Sequence, residues 1–172
     1  MPISYVFCDD FIVLSSRPFG KSIPFIEAVL SNLNLELSTE KTRITTAKEG
    51  FDFLGFHFFR KYVCSYGKEH TYVRPTKQSL KSVKTKIDTI TQRAVNGDIE
   101  ETVKSLNLLM RGWSNYYRDI EAYKTLAKVQ DYALNRLRKY LRKRHTKPGF
   151  GYKEYNHEYM MKIGIKPIVT RR

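Results

Sequence analysis

The hydrophobic periodicity of the chain changes near Pro75, and this change constrains the fold more than any other feature of the sequence. Before it, short runs of aromatic and β-branched residues alternate with turn residues, which is typical of strands. After it, apolar residues recur every three or four positions, which is typical of one face of an α-helix. The sequence therefore predicts an α+β fold, with a strand-rich part followed by a helical part.

Two adjacent carboxylates, Asp9 and Asp10, interrupt the apolar run "ISYVFCDDFIVLSS" near the amino terminus. Neighbouring side chains on a strand point to opposite faces, so a continuous strand would bury one of the two. A turn at residues 8–10, between strands at residues 3–7 and 11–14, removes this conflict. The residues alone leave open whether this is an ordinary turn that contains aspartate or a functional site.

The rest of the strand-rich part carries further elements. Residues 23–33 have the spacing of an amphipathic helix, and residues 35–37 and 43–45 alternate like short strands. Residues 51–59 predict a second hairpin, whose tight point is Gly55. Nine of the ten phenylalanines lie within the first 60 residues. We therefore expect this part to have a core of its own.

Three helices are predicted after Pro75. Asn96-Gly97 ends the first, Asp98 is a suitable N-cap for the second, and the third covers residues 123–144. The residues that follow from Gly149 read as a less regular basic tail rich in tyrosine. The predicted inward positions are Leu80, Val83, Ile87, Ile90, Ala94, Val103, Leu106, Met110, Trp113, Tyr117, Leu126, Val129, Ala133, Leu137 and Leu141.

The formal charge of +14 is concentrated in the helical part. Residues 1–60 hold six basic and seven acidic residues, whereas residues 61–172 hold twenty-five and ten. A segment with a net charge of +15 is typical of a polyanion-binding protein, because each neutralised phosphate releases a counterion. The alternative is a solvated basic surface without a partner. The basic residues predicted to contact such a polyanion are Lys77, Lys81, Lys84, Arg111, Arg118, Arg136, Arg138, Lys139, Arg142 and Lys143.

Several classes of protein are disfavoured by the composition. The two cysteines have neither the number of a disulfide framework nor the spacing of a zinc site, and they indicate a reducing compartment. No apolar run approaches the length of a membrane span, so we expect no membrane partner.

Several motifs together resemble a known family. Phe7-Cys8-Asp9-Asp10 is similar to the [Tyr/Phe]-x-Asp-Asp palm motif of reverse transcriptases, "LSTEKTR" resembles the following motif with its lysine, and "GFDFLGFHF" resembles the primer-grip hairpin. The segment "LNLLMRGWSNYYR" resembles the signature of the maturase-specific domain, also called the thumb or X domain, of group II intron-encoded proteins. The resemblance covers about residues 3–145. It implies a palm part at 1–74, a maturase-specific thumb at 75–146 and a basic tail at 147–172.

The resemblance implies roles for the palm residues. Asp9 and Asp10 would hold catalytic Mg²⁺ together with a third aspartate from an earlier strand, and Lys41 would lie near the incoming triphosphate. The primer-grip residues that would brace the primer end are Phe53, Leu54, Gly55 and Phe56. In the maturase signature, Trp113 and Tyr117 are interpreted as core residues, with base stacking as the alternative.

The palm motif stands at the start of this sequence, so we expect the fingers and the first metal-binding aspartate to be missing. We therefore expect Mg²⁺ to bind weakly or not at all to residues 1–172. The leading hypothesis is the C-terminal part of a group II intron reverse transcriptase and maturase, a mobile-element protein that binds intron RNA and assists splicing. The alternatives are an RNA-directed DNA polymerase that is active only with a separate N-terminal polypeptide, and a non-functional relic. A DNA target or primer is a further candidate partner, and the family implies the bacterial cytoplasm or an organelle.

Overall fold

The computed structural model of the chain describes residues 3–7, 10–16, 20, 22–38, 40–93, 98–120 and 122–168. The backbone divides into two compact units, Met1–Thr46 and Ala47–Arg172. The structure confirms the predicted α+β class, with helices and two small antiparallel sheets. The assignment of these elements to a palm and a thumb remains a prediction.

In its described residues, the first unit contains one hairpin and one helix. Strands β1 (Ile3–Phe7) and β2 (Asp10–Leu14) pair antiparallel, with Ile3 opposite Leu14 and Phe7 opposite Asp10. Helix α1 (Ser22–Asn32) follows. The structure confirms the hairpin and the helix. However, Asp10 is the first residue of β2 and not part of the tip, while Cys8 and Asp9 lie outside the described residues.

Two predictions for the first unit are wrong. Residues 35–37 and 43–45 form no strand, because an alternating pattern makes a strand only where a neighbouring strand accepts its hydrogen bonds. In addition, none of the described residues of this unit is buried. One two-stranded hairpin and an eleven-residue helix have too little surface to enclose a core. The core expected among the first 60 residues is therefore absent from the described part of this unit.

The second unit begins with a three-stranded antiparallel sheet. Strands β3 (Phe51–Phe53) and β4 (Phe56–Val63) form the predicted hairpin, with Phe53 opposite Phe56. Strand β5 (Lys68–Pro75) pairs with the whole length of β4. The sequence did not indicate β5, because its first residues are polar and the long partner strand supplies the ladder that keeps it extended.

Three helices follow the sheet: α2 (Lys77–Arg93), α3 (Ile99–Tyr116) and α4 (Tyr123–Arg144). Thr76 caps α2, since its Oγ1 accepts the backbone N–H of Ser79 at 3.1 Å. Asp98 caps α3 as predicted, with Oδ1 accepting the N–H of Glu100 at 3.2 Å. The bounds of α4 are those predicted. Ala94 and the predicted stop at Asn96-Gly97 lie outside the described residues.

The side-chain contacts fix the directions of the three helices. Ser79, at the start of α2, bonds Trp113 near the end of α3, so these helices are antiparallel. Lys84 of α2 lies near Tyr132 of α4, and Asp88 contacts Arg136. Gln92 lines a cleft with Lys143, so positions further along α2 meet positions further along α4 and the two helices run parallel. All but three of the fifteen predicted inward residues belong to the core or pack against it; Leu126 is half-buried, Tyr117 is buried outside the main cluster, and Ala94 is not described. Helical periodicity thus located the core of this unit.

The segment predicted as an irregular tail is part of the same core. It contains a short helix, α5 (His157–Lys162), which Asn156 caps by accepting the N–H of Tyr159 at 2.9 Å. Tyr155, Met160 and Ile165 are buried in the core cluster that also contains residues of α2, α3 and α4. The side chain of Asn107 on α3 also bonds two backbone groups of this segment, the carbonyl of Gly164 at 2.8 Å and the N–H of Lys166 at 2.9 Å.

A chain of hydrogen bonds connects α3, α2 and the turn of the β3–β4 hairpin. Trp113 Nε1 donates to Ser79 Oγ at 3.2 Å, the hydroxyls of Ser79 and Tyr117 lie 2.7 Å apart, and the Tyr117 hydroxyl donates to the Gly55 carbonyl at 3.0 Å. Tyr117 is 2% exposed, and Trp113 is half-buried against the core. The interpretation of both as packing residues is therefore confirmed.

We expect Tyr117→Phe to lower the free energy of unfolding by about 1 kcal/mol, because the substitution removes the hydroxyl and keeps the ring. Burial, the largest cause, raises the pKa of Tyr117. The stabilisation is therefore complete below the unfolded-state pKa of about 10 and is lost as pH rises through the higher folded-state pKa. Thermal unfolding at pH 7 and above pH 10 should show the difference between variant and wild type shrinking.

Tyr123→Phe is the matched control, because Tyr123 is 54% exposed at the start of α4. This variant should unfold at the wild-type temperature at both pH values. Equal melting temperatures for both tyrosine variants would contradict a structural role for the Tyr117 hydroxyl.

Candidate nucleic-acid interface

Four of the residues predicted to bind RNA lie on the second half of α4 and line two neighbouring clefts. One open cleft lies between α2 and α4, and a second lies beside the end of α4; they share Lys139 and Lys143. Thr91 and Gln92 of α2 line the first cleft, together with Tyr140. The basic residues that line the two clefts are Arg136, Lys139, Arg142, Lys143 and Lys147; they are called the basic strip below.

The geometry of an α-helix explains the strip. Positions 136, 139, 140 and 143 are three or four residues apart and therefore lie on one face. Three cations occupy the last turn of α4, where the negative end of the helix dipole favours positive charge. Lys139, Lys143 and Lys147 are exposed, so their charges face solvent.

Arg136 is held by a polar cluster between α2 and α4. Its Nε lies 2.6 Å from Oδ1 of Asp88, as a contact ion pair whose N–H is not aligned for a hydrogen bond. The Tyr132 hydroxyl donates to the same carboxylate at 2.8 and 2.9 Å. Burial and the hydrogen bond to Asp88 raise the pKa of Tyr132. The Lys84 ammonium lies 5.2 Å from the centroid of the Tyr132 ring and extends this cluster to the surface.

Arg138 and Arg142 hold the segment that follows α4. Arg138 Nε donates to the Tyr155 carbonyl at 2.9 Å, and its guanidinium lies 5.1 Å from the centroid of the Tyr152 ring. Arg142 Nη1 donates to the Gly149 carbonyl. These arginines therefore have structural partners, in contrast to the exposed lysines of the strip.

The other predicted cations lie away from the strip. Lys77, Lys81 and Lys84 are exposed on the first half of α2. Arg111 is exposed on α3, and Arg118 follows that helix and pairs with Asp119 at 3.5 Å. None of the five lines either cleft. The role predicted for them in RNA binding stays a prediction.

The predicted primer-grip residues form the β3–β4 turn. Leu54 and Gly55 both have positive φ, 48° and 77°, which suits a two-residue hairpin turn but is unfavourable for leucine. The Tyr116 hydroxyl donates to the Leu54 carbonyl at 2.7 Å, and the ring of Phe56 lies 5.1 Å from that of Tyr116. Phe53 is half-buried beside the turn. Tyr116, the last residue of α3, thus holds this turn through a hydrogen bond and a ring contact.

The predicted catalytic residues lie in the first unit. Asp10 is exposed at the start of β2, and Lys41 is exposed in a turn. Asp9 lies outside the described residues, so the predicted Mg²⁺ site is untested. Across the described residues, no group of three or more His, Cys, Asp or Glu could hold a metal ion. In the same part of the chain, no helix has both the length and the apolar character needed to cross a membrane.

The sequence did not indicate four residues that line or support the two clefts. Thr91 and Gln92 are neutral residues at the end of α2, and Lys147 follows α4 in the basic tail. The sequence held one indication that Asp88 has a special role, since it is the only acidic residue among the seventeen residues of α2. The partner of Asp88, Arg136, could not be predicted because it depends on how α2 packs against α4.

The fold and the strip define a basic protein built around a helical domain with an electropositive face. The family model described as "Group II intron, maturase-specific domain" matches residues 80–159. This segment is therefore similar to the maturase-specific domain of group II introns, which confirms the recognition made from the sequence. The match begins within α2 and ends within α5, so it includes the residues that follow α4. No curated protein matches the chain.

We expect Asp88→Asn to lower the free energy of unfolding by about 1.5 kcal/mol, because it leaves the largely buried Arg136 guanidinium without its counter-charge. Thermal unfolding should show a melting temperature about 5 °C lower. Asp131→Asn is the control, since Asp131 is exposed on α4 and its loss changes the net charge equally. An unchanged melting temperature in Asp88→Asn would contradict the stabilising role of this pair.

Proposed function

We propose that the chain binds group II intron RNA through the basic strip and thereby favours the folded, splicing-competent form of the intron. The family match supports a maturase role, and the strip is the observation that supports this particular surface. Charge repulsion between phosphates opposes the close packing of RNA helices. A protein that places cations between them reduces this repulsion and releases condensed counterions.

The dimensions of the strip suit a nucleic-acid backbone. From residue 136 to residue 143, α4 rises by about 10 Å at 1.5 Å per residue. One strand of a duplex carries a phosphate about every 3.4 Å along its axis, so this length faces roughly three phosphates. Lys147 extends the strip beyond the helix end and adds about one more. Four contacts predict that affinity falls about 50- to 150-fold between 50 and 200 mM salt.

We expect the double substitution Lys139→Glu/Lys143→Glu to reduce affinity for a group II intron RNA at least about tenfold. The slope of log affinity against log salt should become shallower by about 1.5, because two phosphate contacts are lost. Filter binding over a series of salt concentrations measures both quantities. Stimulation of splicing by the protein at low magnesium concentration should fall with the affinity.

The control is Lys104→Glu/Lys124→Glu, which changes the net charge by the same amount at exposed positions outside both clefts. It should retain most of the affinity and the wild-type salt slope. Equal losses in the two double variants would show that net charge alone drives binding. No binding by the wild-type chain at low salt would instead favour a relic without function.

We further propose that residues 1–172 carry an incomplete polymerase site. The hairpin of β1 and β2 supports this proposal, because Asp10 is the first residue of β2 and lies opposite Phe7 at the end of the ladder where the chain turns. The resemblance to reverse transcriptases requires a third carboxylate from an earlier strand. Two carboxylates leave the ions largely hydrated and poorly positioned for phosphoryl transfer.

We expect no extension of a primer on an RNA template by residues 1–172 with Mg²⁺ and four deoxynucleotides. Extension that appears after a polypeptide with fingers and an earlier palm strand is added, and that disappears with Asp10→Asn, would support a split polymerase. Extension by residues 1–172 alone, lost with Asp10→Asn, would show that another carboxylate completes the site.

A further inference from the structure

Phe150 is the most exposed large hydrophobic residue of the described chain, with 80% of its surface in solvent. It is also the one phenylalanine outside the first 60 residues. A single exposed apolar residue is common on a protein surface and is not in itself informative. Phe150 differs because its loop is anchored on both sides and adjoins the basic strip.

The loop at residues 147–155 is held by hydrogen bonds to α4. The Lys147 N–H donates to the Arg142 carbonyl at 3.1 Å. The Arg142 guanidinium in turn donates a hydrogen bond to the Gly149 carbonyl. At the other end, the carbonyl of Tyr155 accepts a bond from Arg138. Tyr155 itself is 4% exposed, and its hydroxyl lies 2.7 Å from Nδ1 of His145. The loop is therefore fixed before any ligand arrives.

The two glycines that flank Phe150 direct its ring outward. Gly149 and Gly151 have φ angles of 74° and 73°, which a residue with a side chain rarely adopts. A Cβ at Gly151 would lie 2.9 Å from Cδ2 of the buried Tyr155. The backbone thus folds closely onto Tyr155 at Gly151. Between the glycines, Phe150 remains in solvent.

Aromatic rings and cations lie next to each other at this loop. The ring of Tyr152, which is 58% exposed, lies 6.4 Å from the ring of Phe150 and contacts Arg138. Pro148 lines the same cleft as Lys143 and Lys147. Proteins that bind single-stranded nucleic acid combine these two features, because bases stack on aromatic rings and phosphates bind nearby cations.

We propose that Phe150 and Tyr152 form a stacking site for an unpaired RNA base whose backbone phosphates bind Lys143 and Lys147. This inference rests on the proposed function and specifies its substrate as RNA with an unpaired nucleotide beside the strip. A paired base has its faces covered by neighbouring bases and cannot stack on Phe150. The cations should therefore bind both duplex and single strand, whereas the aromatic pair should favour the single strand.

The test compares Phe150→Ala with wild type on two probes, a 12-nucleotide single-stranded oligoadenylate and a 12-base-pair RNA duplex, at one salt concentration. We expect Phe150→Ala to weaken single-strand binding about tenfold and to leave duplex binding within about twofold. The salt slope should not change, because no charge is removed. Phe150→Trp should retain single-strand binding, and its indole fluorescence should be quenched by the oligoadenylate and not by the duplex.

Leu108→Ala is the matched control, since Leu108 is an apolar residue that is 64% exposed on α3. It should bind both probes as wild type does, and both alanine variants should keep the wild-type melting temperature. Unchanged single-strand binding by Phe150→Ala, or equal losses on the two probes, would overturn the stacking site and leave the basic strip intact. Binding of neither probe by wild type would overturn the proposed function as well.

Discussion

The hydroxyl of Tyr117 is the contact on which the arrangement of the second unit depends. It is buried where the end of α3, the start of α2 and the β3–β4 turn meet, and it bonds Ser79 and Gly55. The N–H of Thr76, which caps α2, donates to the same Gly55 carbonyl at 2.9 Å. The sheet and the helices are thereby joined through one carbonyl group, and the direction of α2 follows from this junction.

The direction of α2 in turn decides which residues meet on α4. Because α2 and α4 run parallel, Asp88 reaches Tyr132 and Arg136, and Gln92 lies beside Lys139 and Lys143 one turn further on. Arg136 is the cation that is largely buried and paired, whereas Lys139 and Lys143 are exposed to solvent. This division suits their chemistry, since the guanidinium is the more weakly hydrated ion and the ammonium keeps its charge available at the surface.

The segment after α4 has two roles in the structure. Met160 and Ile165 are buried in the same core as residues of α2, α3 and α4, which makes the segment part of the helical domain. The contacts that fix it also use Arg138 and Arg142, two residues that the sequence had indicated only as RNA ligands. The family match ends at residue 159, so it includes the first part of this segment with the buried Tyr155.

The sequence by itself determined helices α1 to α4, the inward faces of α2 to α4 and the basic character of their surface. Val83, Leu106 and Leu137 are buried as their spacing predicted, because helical periodicity is a local property of the chain. Only the tertiary structure decided the pairings. The extended state of β5, the burial of Met160 and the contact between Asp88 and Arg136 each depend on a partner distant in sequence. The same physics explains the failed strands at residues 35–37 and 43–45, since a local pattern cannot supply the neighbouring strand that it needs.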